Sequence, residues 1–108
     1  GSSGMTRWRM ENDKRYYVYI MTNKRNNVLY VGVSNSIFRR SLEHKFKQNK
    51  NSFTEKYNID KLVYYEVYKY IKEAIRREKQ LKKWKRQWKI ELIEKENKLW
   101  RDLFQDME

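Results

Sequence analysis

The hydrophobic positions of the chain first form two short runs with a polar turn between them. Residues 16–21 and 28–33 are rich in aromatic and β-branched side chains, and residues 23–27 between them are rich in turn-forming asparagine. This pattern predicts a β-hairpin. A similar run at residues 61–67 predicts a third strand. Gly32 lies inside the second run, where a glycine indicates a bulge or a close approach to the backbone.

Helical periodicity is present in three further segments. Short polar side chains at 34–36 offer N-cap oxygens to a helix over about residues 37–47, whose apolar stripe is Phe38, Leu42 and Phe46. A second helix is predicted over residues 71–84, with an apolar face of Ile71, Ala74, Ile75 and Leu81. A third is predicted over residues 88–96. The chain therefore consists of short strands followed by long helices.

The length of 108 residues suits one domain with one core. Residues 1–4 precede the first methionine and are typical of an expression-tag remnant, so we expect the native chain to start at Met5. Residues 5–14 are polar and aperiodic, which predicts a flexible basic arm. We therefore expect a single domain over residues 15–104, followed by a C-terminal tail at 105–108.

The chain is strongly basic. It has 26 Lys and Arg against 14 Asp and Glu, a formal net charge of +12, and such a surplus attracts polyanions. Nucleic acid is the first candidate, and an anionic membrane surface is the alternative. No run of about 18 apolar residues and no signal-peptide pattern is present. We therefore expect a soluble intracellular protein that does not bind membranes.

Composition also restricts the chemistry of any metal site. The chain has no cysteine and a single histidine, His44, which excludes disulfides, thiolate nucleophiles, sulfur-based zinc sites and multi-histidine metal clusters. A catalytic metal would have to bind oxygen ligands, which favours Mg²⁺ or Mn²⁺.

Glu78 is the most informative candidate for chemistry. It is four residues after Ala74 and three before Leu81, so it falls within the apolar face of its predicted helix. Charged side chains usually avoid such a face. Either the carboxylate pairs with Arg40 or another cation at the edge of the core, or it is a metal ligand whose charge a divalent cation compensates.

Four other side chains have a functional and a structural interpretation. Tyr19 and Tyr30 lie on the two hairpin strands and would approach each other in a suitable register, although each alone is as well explained by packing. Arg40 and His44 are four residues apart and share a stripe of the first helix. A guanidinium can hold a phosphate with two hydrogen bonds, whereas a lone histidine is more often an exposed or capping residue.

The basic run from Arg76 to Lys89 is interleaved with Trp84 and Trp88. It fits a phosphate-binding surface with apolar anchors, and a solvated helix face explains it equally well. The residues we assign to nucleic-acid contact are Arg39, Arg40, Lys45, Arg76, Lys82 and Lys83.

Taken in order, these residues form a known pattern. Tyr17-Val18-Tyr19, Tyr30-Val31-Gly32 and then Arg40, His44, Glu78 and Asn97 resemble the motifs of the GIY-YIG nuclease superfamily. The chain is most similar to small stand-alone bacterial members related to the incision subunit of nucleotide excision repair. The similarity covers nearly all of residues 15–104, including the stretches 74–82 and 97–103.

The resemblance implies an α+β fold in which helices flank a three-stranded antiparallel sheet, with the active site across the sheet face. It implies that the tyrosine at Tyr19 activates the attacking water and that the one at Tyr30 helps to position it. The arginine at Arg40 would stabilise the scissile phosphate, and Glu78 would hold one Mg²⁺ (or Mn²⁺) completed by water and phosphate. Without a metal-bound water or nearby cations, a tyrosine with a pKa of about 10 is a poor base near neutrality.

By the same resemblance, His44 would assist the tyrosine network, and Asn97 would support the site or contact the phosphate. Two positions depart from the family pattern. Tyr17 replaces the first glycine, and Lys98 stands where proline often follows the asparagine. Neither departure removes a catalytic candidate.

The sequence therefore predicts a metal-dependent DNA endonuclease involved in DNA repair. Because no appended recognition domain is evident, we expect branched, nicked or damaged DNA as substrate, with a possible protein partner for targeting. The alternatives are a non-catalytic nucleic-acid-binding module on the same fold and an interaction domain that uses exposed tryptophans.

Overall fold

The computed structural model describes residues 15–37, 39, 41–42 and 58–107. Three antiparallel strands, β1 (Tyr16–Thr22), β2 (Leu29–Ser34) and β3 (Lys61–Tyr68), form a sheet in the order β2-β1-β3. The predicted hairpin and third strand are confirmed. β1 is the central strand and both faces of the sheet are covered, so its side chains from Val18 to Met21 are at most 1% exposed.

Asparagines close the hairpin between β1 and β2. The Asn26 amide donates to the Asn23 carbonyl at 3.1 Å, and Asn26 has a φ of 57°, a left-handed value that asparagine tolerates better than most residues. The Asn23 side chain also accepts from the Asn27 amide at 3.1 Å. The turn sets a register in which Tyr19 lies opposite Gly32.

The pairing of β1 with β3 contains one irregularity. Ile20 pairs with Tyr64 and Met21 pairs with Leu62, so Val63 is an extra residue on β3. Such a bulge strengthens the local twist of the strands. Val63 and Tyr64 consequently both belong to the same core cluster, although they are adjacent in sequence. The bulge lies here and not at Gly32, where the sequence allowed one.

Helices α1 (Ile71–Lys83), α2 (Arg86–Glu96) and α3 (Phe104–Met107) follow the sheet. The first two confirm the sequence prediction closely, while α3 was not predicted. Residues 39, 41 and 42 are helical, and Leu42 is buried as expected. Phe38, Phe46 and most of the predicted helix over 37–47 lie outside the described residues. No described helix is long and apolar enough to cross a membrane.

Two apolar clusters lie on opposite faces of the sheet, as the alternation of strand side chains requires. One face packs against α1 and α2 and contains Val18, Ile20, Val31, Val63, Tyr64, Ala74, Leu81 and Ile93. The other face contains Tyr19, Met21, Ile37, Leu42, Ile59, Leu62 and Phe104. The structure is therefore the α+β fold that the resemblance implies.

The apolar face predicted for α1 is partly wrong. Ala74 and Leu81 are completely buried, but Ile71 is 40% exposed and Ile75 is 36% exposed. The buried stripe instead follows positions 74, 78 and 81, so the helix presents a narrower face to the sheet. Glu78 remains inside that stripe.

Candidate active site

Tyr19 lies flat against the backbone of Gly32. The two residues are cross-strand partners, and a Cβ atom placed on Gly32 would be 2.5 Å from the Tyr19 hydroxyl and 2.6 Å from Cζ. No side chain larger than a hydrogen fits there without movement of the ring. The sequence indicated a close approach at Gly32, and the structure confirms it. Because β2 is an edge strand, the hydroxyl of the buried Tyr19 lies at the edge of the sheet.

Tyr30 lies beside Tyr19 on the same face of the sheet. Tyr30 pairs with Met21, two residues along β1, and the two tyrosine rings have centroids 6.4 Å apart and are tilted by 35°. This spacing is within the range of favourable aromatic pairs. The hairpin register therefore brings the two predicted tyrosines together.

Glu78 lies on α1 between the buried residues Ala74 and Leu81, and its side chain is 17% exposed. Lys82, one helical turn further on, has its Nζ 3.5 Å from Oε2 of Glu78, and the lysine side chain is 55% exposed. An ion pair with a largely solvated lysine is worth little. The Glu78 carboxylate is thus largely shielded from water, and its ion pair with Lys82 contributes little stability.

Electrostatics connects Glu78 with Tyr19. Burial, then the proximity of Tyr30, then the charge of Glu78 raise the pKa of the Tyr19 hydroxyl well above its usual value of 10.0. The hydroxyl is therefore a neutral phenol at neutral pH. Without a cation at the site, Tyr19 does not become a phenolate base.

The donor set at Glu78 fits one weakly held divalent cation. Within the described ranges, no group of three or more His, Cys, Asp or Glu side chains is arranged to hold a metal. A single carboxylate can still bind Mg²⁺ when water and substrate phosphate supply the remaining oxygens. The partly buried Glu78, with only a 3.5 Å contact to a flexible lysine, has oxygens available for that purpose.

Arg40, His44 and Lys45 lie outside the described residues, so their predicted roles stay predictions. Arg39 is described. Its guanidinium forms an ion pair with Asp102 and lies 5.1 Å from the ring centroid of Phe104. Asp102 also accepts from the Leu62 and Phe104 amides at 3.3 and 3.1 Å. Asp102 thus attaches the C-terminal segment to β3, and a phosphate contact by Arg39 would have to coexist with its ion pair to the same carboxylate.

Asn97 is the C-cap of α2 and is 6% exposed. Its Nδ2 donates to the carbonyls of Val63 and Arg101 at 3.0 and 2.9 Å, and its Oδ1 accepts from the Arg101 amide at 3.0 Å. The side chain is occupied by backbone groups. With these hydrogen bonds, Asn97 braces α2 against β3 and the C-terminal segment.

The three basic residues predicted on α1 are all exposed. Arg76, Lys82 and Lys83 lie on the solvent side of the helix that carries Glu78. Lys82 contacts the Glu78 carboxylate, whereas Arg76 and Lys83, two residues before and five residues after Glu78, lie on the other side of the helix.

A polar cluster that is centred on Glu66 was not predicted from the sequence. Glu66 on β3 accepts hydrogen bonds from Tyr64 at 2.5 Å, Tyr68 at 2.6 Å and the Arg77 guanidinium at 3.0 Å. Burial alone would raise the pKa of Glu66, but these hydrogen bonds together lower it below its usual value. Strand alternation could have predicted this cluster, because residues 64, 66 and 68 lie on the same face of β3.

One of three comparisons with known proteins finds a match. The family model described as the GIY-YIG catalytic domain matches residues 15–91, which include Tyr19, Tyr30 and Glu78. No curated protein and no solved structure matches the chain significantly. The matched domain implies nuclease activity on a nucleic acid substrate, and nucleases of this kind generally use divalent metal ions. The chain therefore belongs to the GIY-YIG catalytic domain family.

Proposed function

We propose that this protein is a metal-dependent endonuclease that hydrolyses DNA phosphodiester bonds and is directed by DNA structure or damage. The observation that carries the proposal is the juxtaposition of Tyr19 and Glu78. A phenol packed on Gly32 at a sheet edge is electrostatically coupled to a carboxylate that is 17% exposed on the neighbouring helix.

In the proposed reaction, a water molecule attacks the phosphorus atom and the bond to the leaving oxygen breaks. The Tyr19 oxygen accepts a hydrogen bond from this water and takes up its proton while the phenol proton passes through solvent water to the leaving oxygen, so that Tyr19 stays neutral and the leaving group departs as an alcohol. Tyr30, with its ring centroid 6.4 Å from that of Tyr19, holds the water in position. This relay suits Tyr19 because its raised pKa keeps it protonated before the reaction.

Charge balance at the phosphate is assigned to Arg40, which would donate to the non-bridging oxygens as negative charge develops. His44 would assist the tyrosine network. Asn97 acts in this scheme by bracing the fold, because its amide is bonded to backbone groups. Glu78 would hold one Mg²⁺ or Mn²⁺, and a bound ion of this kind lowers the pKa of water and offsets charge on the leaving oxygen.

The substrate proposal rests on charge. The net charge of +12 and the exposed Arg76, Lys82 and Lys83 on the helix that carries Glu78 suit contacts to phosphates. Phosphate contacts position a protein on DNA without reading sequence. We therefore infer branched, nicked or damaged DNA as substrate, a protein partner for targeting, a place in DNA repair close to that of the excision-repair incision subunit, and a cytoplasmic location at the nucleoid.

The test compares Glu78→Ala with Glu73→Ala. Both glutamates lie on α1, but Glu73 is exposed and Glu78 is not. Wild type and Glu73→Ala should nick plasmid and cut branched DNA when Mg²⁺ is added. The cleavage rate of Glu78→Ala should fall at least 100-fold, because the metal ion proposed at Glu78 would stabilise the transition state by about 3 kcal/mol or more. Circular dichroism and thermal melting check that each variant is folded.

Two outcomes would overturn the proposal. Full activity in a folded Glu78→Ala protein would remove the metal role of that residue. Salt-dependent DNA binding by wild type, with no cutting of flaps, forks, junctions, nicked or abasic DNA, would instead support the non-catalytic binding module.

A further inference from the structure

Two tryptophans pack edge to face at the junction between α1 and α2. Trp84 follows the last residue of α1, and Trp88 lies in the first turn of α2. Their ring centroids are 6.0 Å apart with an interplanar angle of 85°. Trp84 packs against the core and has the Arg77 guanidinium 5.0 Å from its ring centroid. The inner tryptophan is therefore fixed in place and supports the outer one.

Trp88 projects from this support into solvent. It is 49% exposed, and the Nζ of Lys85 is 5.9 Å from its ring centroid. Tryptophan is enriched at binding interfaces, because it combines a large apolar ring with a polar N–H group.

The surroundings of Trp88 are cationic. Residues 82–91 contain five Lys or Arg and a single acid, Glu91. Burial and then the charge of Arg86 lower the pKa of Lys89. An anion beside Trp88 would be attracted to these cations.

The junction also lies near the candidate active site. Glu78 and Trp84 are six residues apart along α1, about 9 Å along the helix axis. Lys82, between them, contacts Glu78 at 3.5 Å. Beyond the junction, Arg86 donates to the Asn26 carbonyl in the hairpin turn at 3.5 Å. A nucleic acid strand that binds at Glu78 and extends toward the C-terminal end of α1 would reach the junction that carries Trp88.

We propose that Trp88, supported by Trp84 and flanked by Lys85, is a stacking platform for an unpaired nucleobase of the substrate. The inference rests on the proposed function in so far as it takes the substrate to be a nucleic acid. It adds that the preferred substrate has a single-stranded arm next to the cleaved bond.

A nucleobase fits the site better than an apolar protein surface does. The exposed face of α2 around Trp88 carries Lys85 and Glu91, and Leu92 one turn further on is partly buried. An exposed aromatic ring with Lys85 over its face matches the combination of stacking and charge that single-strand-binding proteins use.

The experiment measures binding in the presence of EDTA, so that no cutting occurs. The probes are a fluorescently labelled oligothymidylate, an abasic strand of the same length and a duplex. The variants are Trp88→Ala, Trp88→Phe and the control Tyr70→Ala. Tyr70 is 59% exposed and has Lys69 at 5.8 Å from its ring centroid, so it matches the aromatic and cationic character of Trp88 at another place.

Trp88→Ala should bind oligothymidylate roughly 5- to 150-fold more weakly, and its affinity for the abasic strand should not change. Trp88→Phe should recover most of the loss, and Tyr70→Ala should bind like wild type. Indole fluorescence of wild type should be quenched by oligothymidylate but not by the abasic strand.

Unchanged oligothymidylate binding by Trp88→Ala would overturn the proposal. An equal loss for all three probes would also overturn it, because charge or folding would then explain the effect. Failure of the nuclease proposal looks different: wild type would not cut DNA with Mg²⁺, while the discrimination between oligothymidylate and the abasic strand would persist.

Discussion

Replacing Gly32 with alanine tests whether the close approach of Tyr19 is needed. The new Cβ atom would lie 2.5 Å from the hydroxyl, 2.6 Å from Cζ and 3.0 Å from Cε1 of Tyr19. All three distances are shorter than an ordinary van der Waals contact. Tyr19 is 1% exposed and surrounded by the core cluster on its face of the sheet. The ring must therefore shift against packed neighbours.

Two effects of opposite sign determine the magnitude. Gly32 does not have a positive φ, so alanine can adopt its backbone conformation. The substitution would by itself stabilise the fold by about 0.4–1 kcal/mol, because alanine lowers the conformational entropy of the unfolded chain. Forcing extra atoms into a packed core costs about 1–3 kcal/mol. The net expectation is a loss of about 1 kcal/mol. A ring displacement near 1 Å should also slow cleavage by about 100-fold.

The assay is a double-mutant cycle with Tyr19→Leu. Leucine lacks the three atoms that the new Cβ would contact, so the clash disappears in that background and only the backbone effect remains. Gly32→Ala should then become neutral or stabilising by up to about 1 kcal/mol. Urea denaturation of the four proteins gives the free energies of unfolding, and Mg²⁺-dependent nicking by wild type and Gly32→Ala gives the rates.

The reversal of sign is the decisive result. If Gly32→Ala costs the same free energy of unfolding in both backgrounds, the contact with Tyr19 does not explain the glycine. Wild-type nicking by a folded Gly32→Ala protein would likewise refute the claim that this contact sets the position of the hydroxyl.

Two further predictions concern stability. Asn97→Ala should lower the free energy of unfolding by about 2–4 kcal/mol in urea titrations, because it leaves the backbone partners of the amide unpaired; a loss below 1 kcal/mol would contradict the bracing role. Because its folded pKa is lowered, Glu66 stabilises the fold above its unfolded pKa of about 4.5, and this contribution is lost as pH falls through the folded value. Urea titrations from pH 7 to 3 should show a smaller acid loss for Glu66→Gln than for wild type, whereas the exposed control Glu73→Gln should follow wild type.

The sheet was predictable because local sequence determines it. The alternation of aromatic and β-branched residues marks the strands, and the asparagines at 23, 26 and 27 form the turn that sets the register of β1 and β2. Once that register is known, Tyr19, Tyr30 and Gly32 must lie together. The position of Glu78 within an apolar stripe likewise follows from the helical period.

Long-range packing was harder to predict. Periodicity places Ile71 and Ile75 beside Ala74, but it does not say how wide a stripe the sheet covers, and both isoleucines are exposed. The contacts of Asn97 with Val63 and of Arg39 with Asp102 join residues more than 30 positions apart. Nothing in the local pattern of either residue distinguishes such a brace from a phosphate contact.

In the proposed reaction, the ease with which Tyr19 gives up its proton depends on whether Glu78 holds a metal ion. Burial, Tyr30 and the charge of Glu78 all raise the pKa of the phenol, so the two proposed partners oppose its ionisation. A divalent cation held by Glu78 would reverse the sign of that carboxylate's effect, because the net local charge would become positive. It would also make the water more acidic. Glu78 without an ion favours proton uptake by the Tyr19 oxygen but opposes loss of the phenol proton, so the ion would assist the step in which Tyr19 passes that proton on.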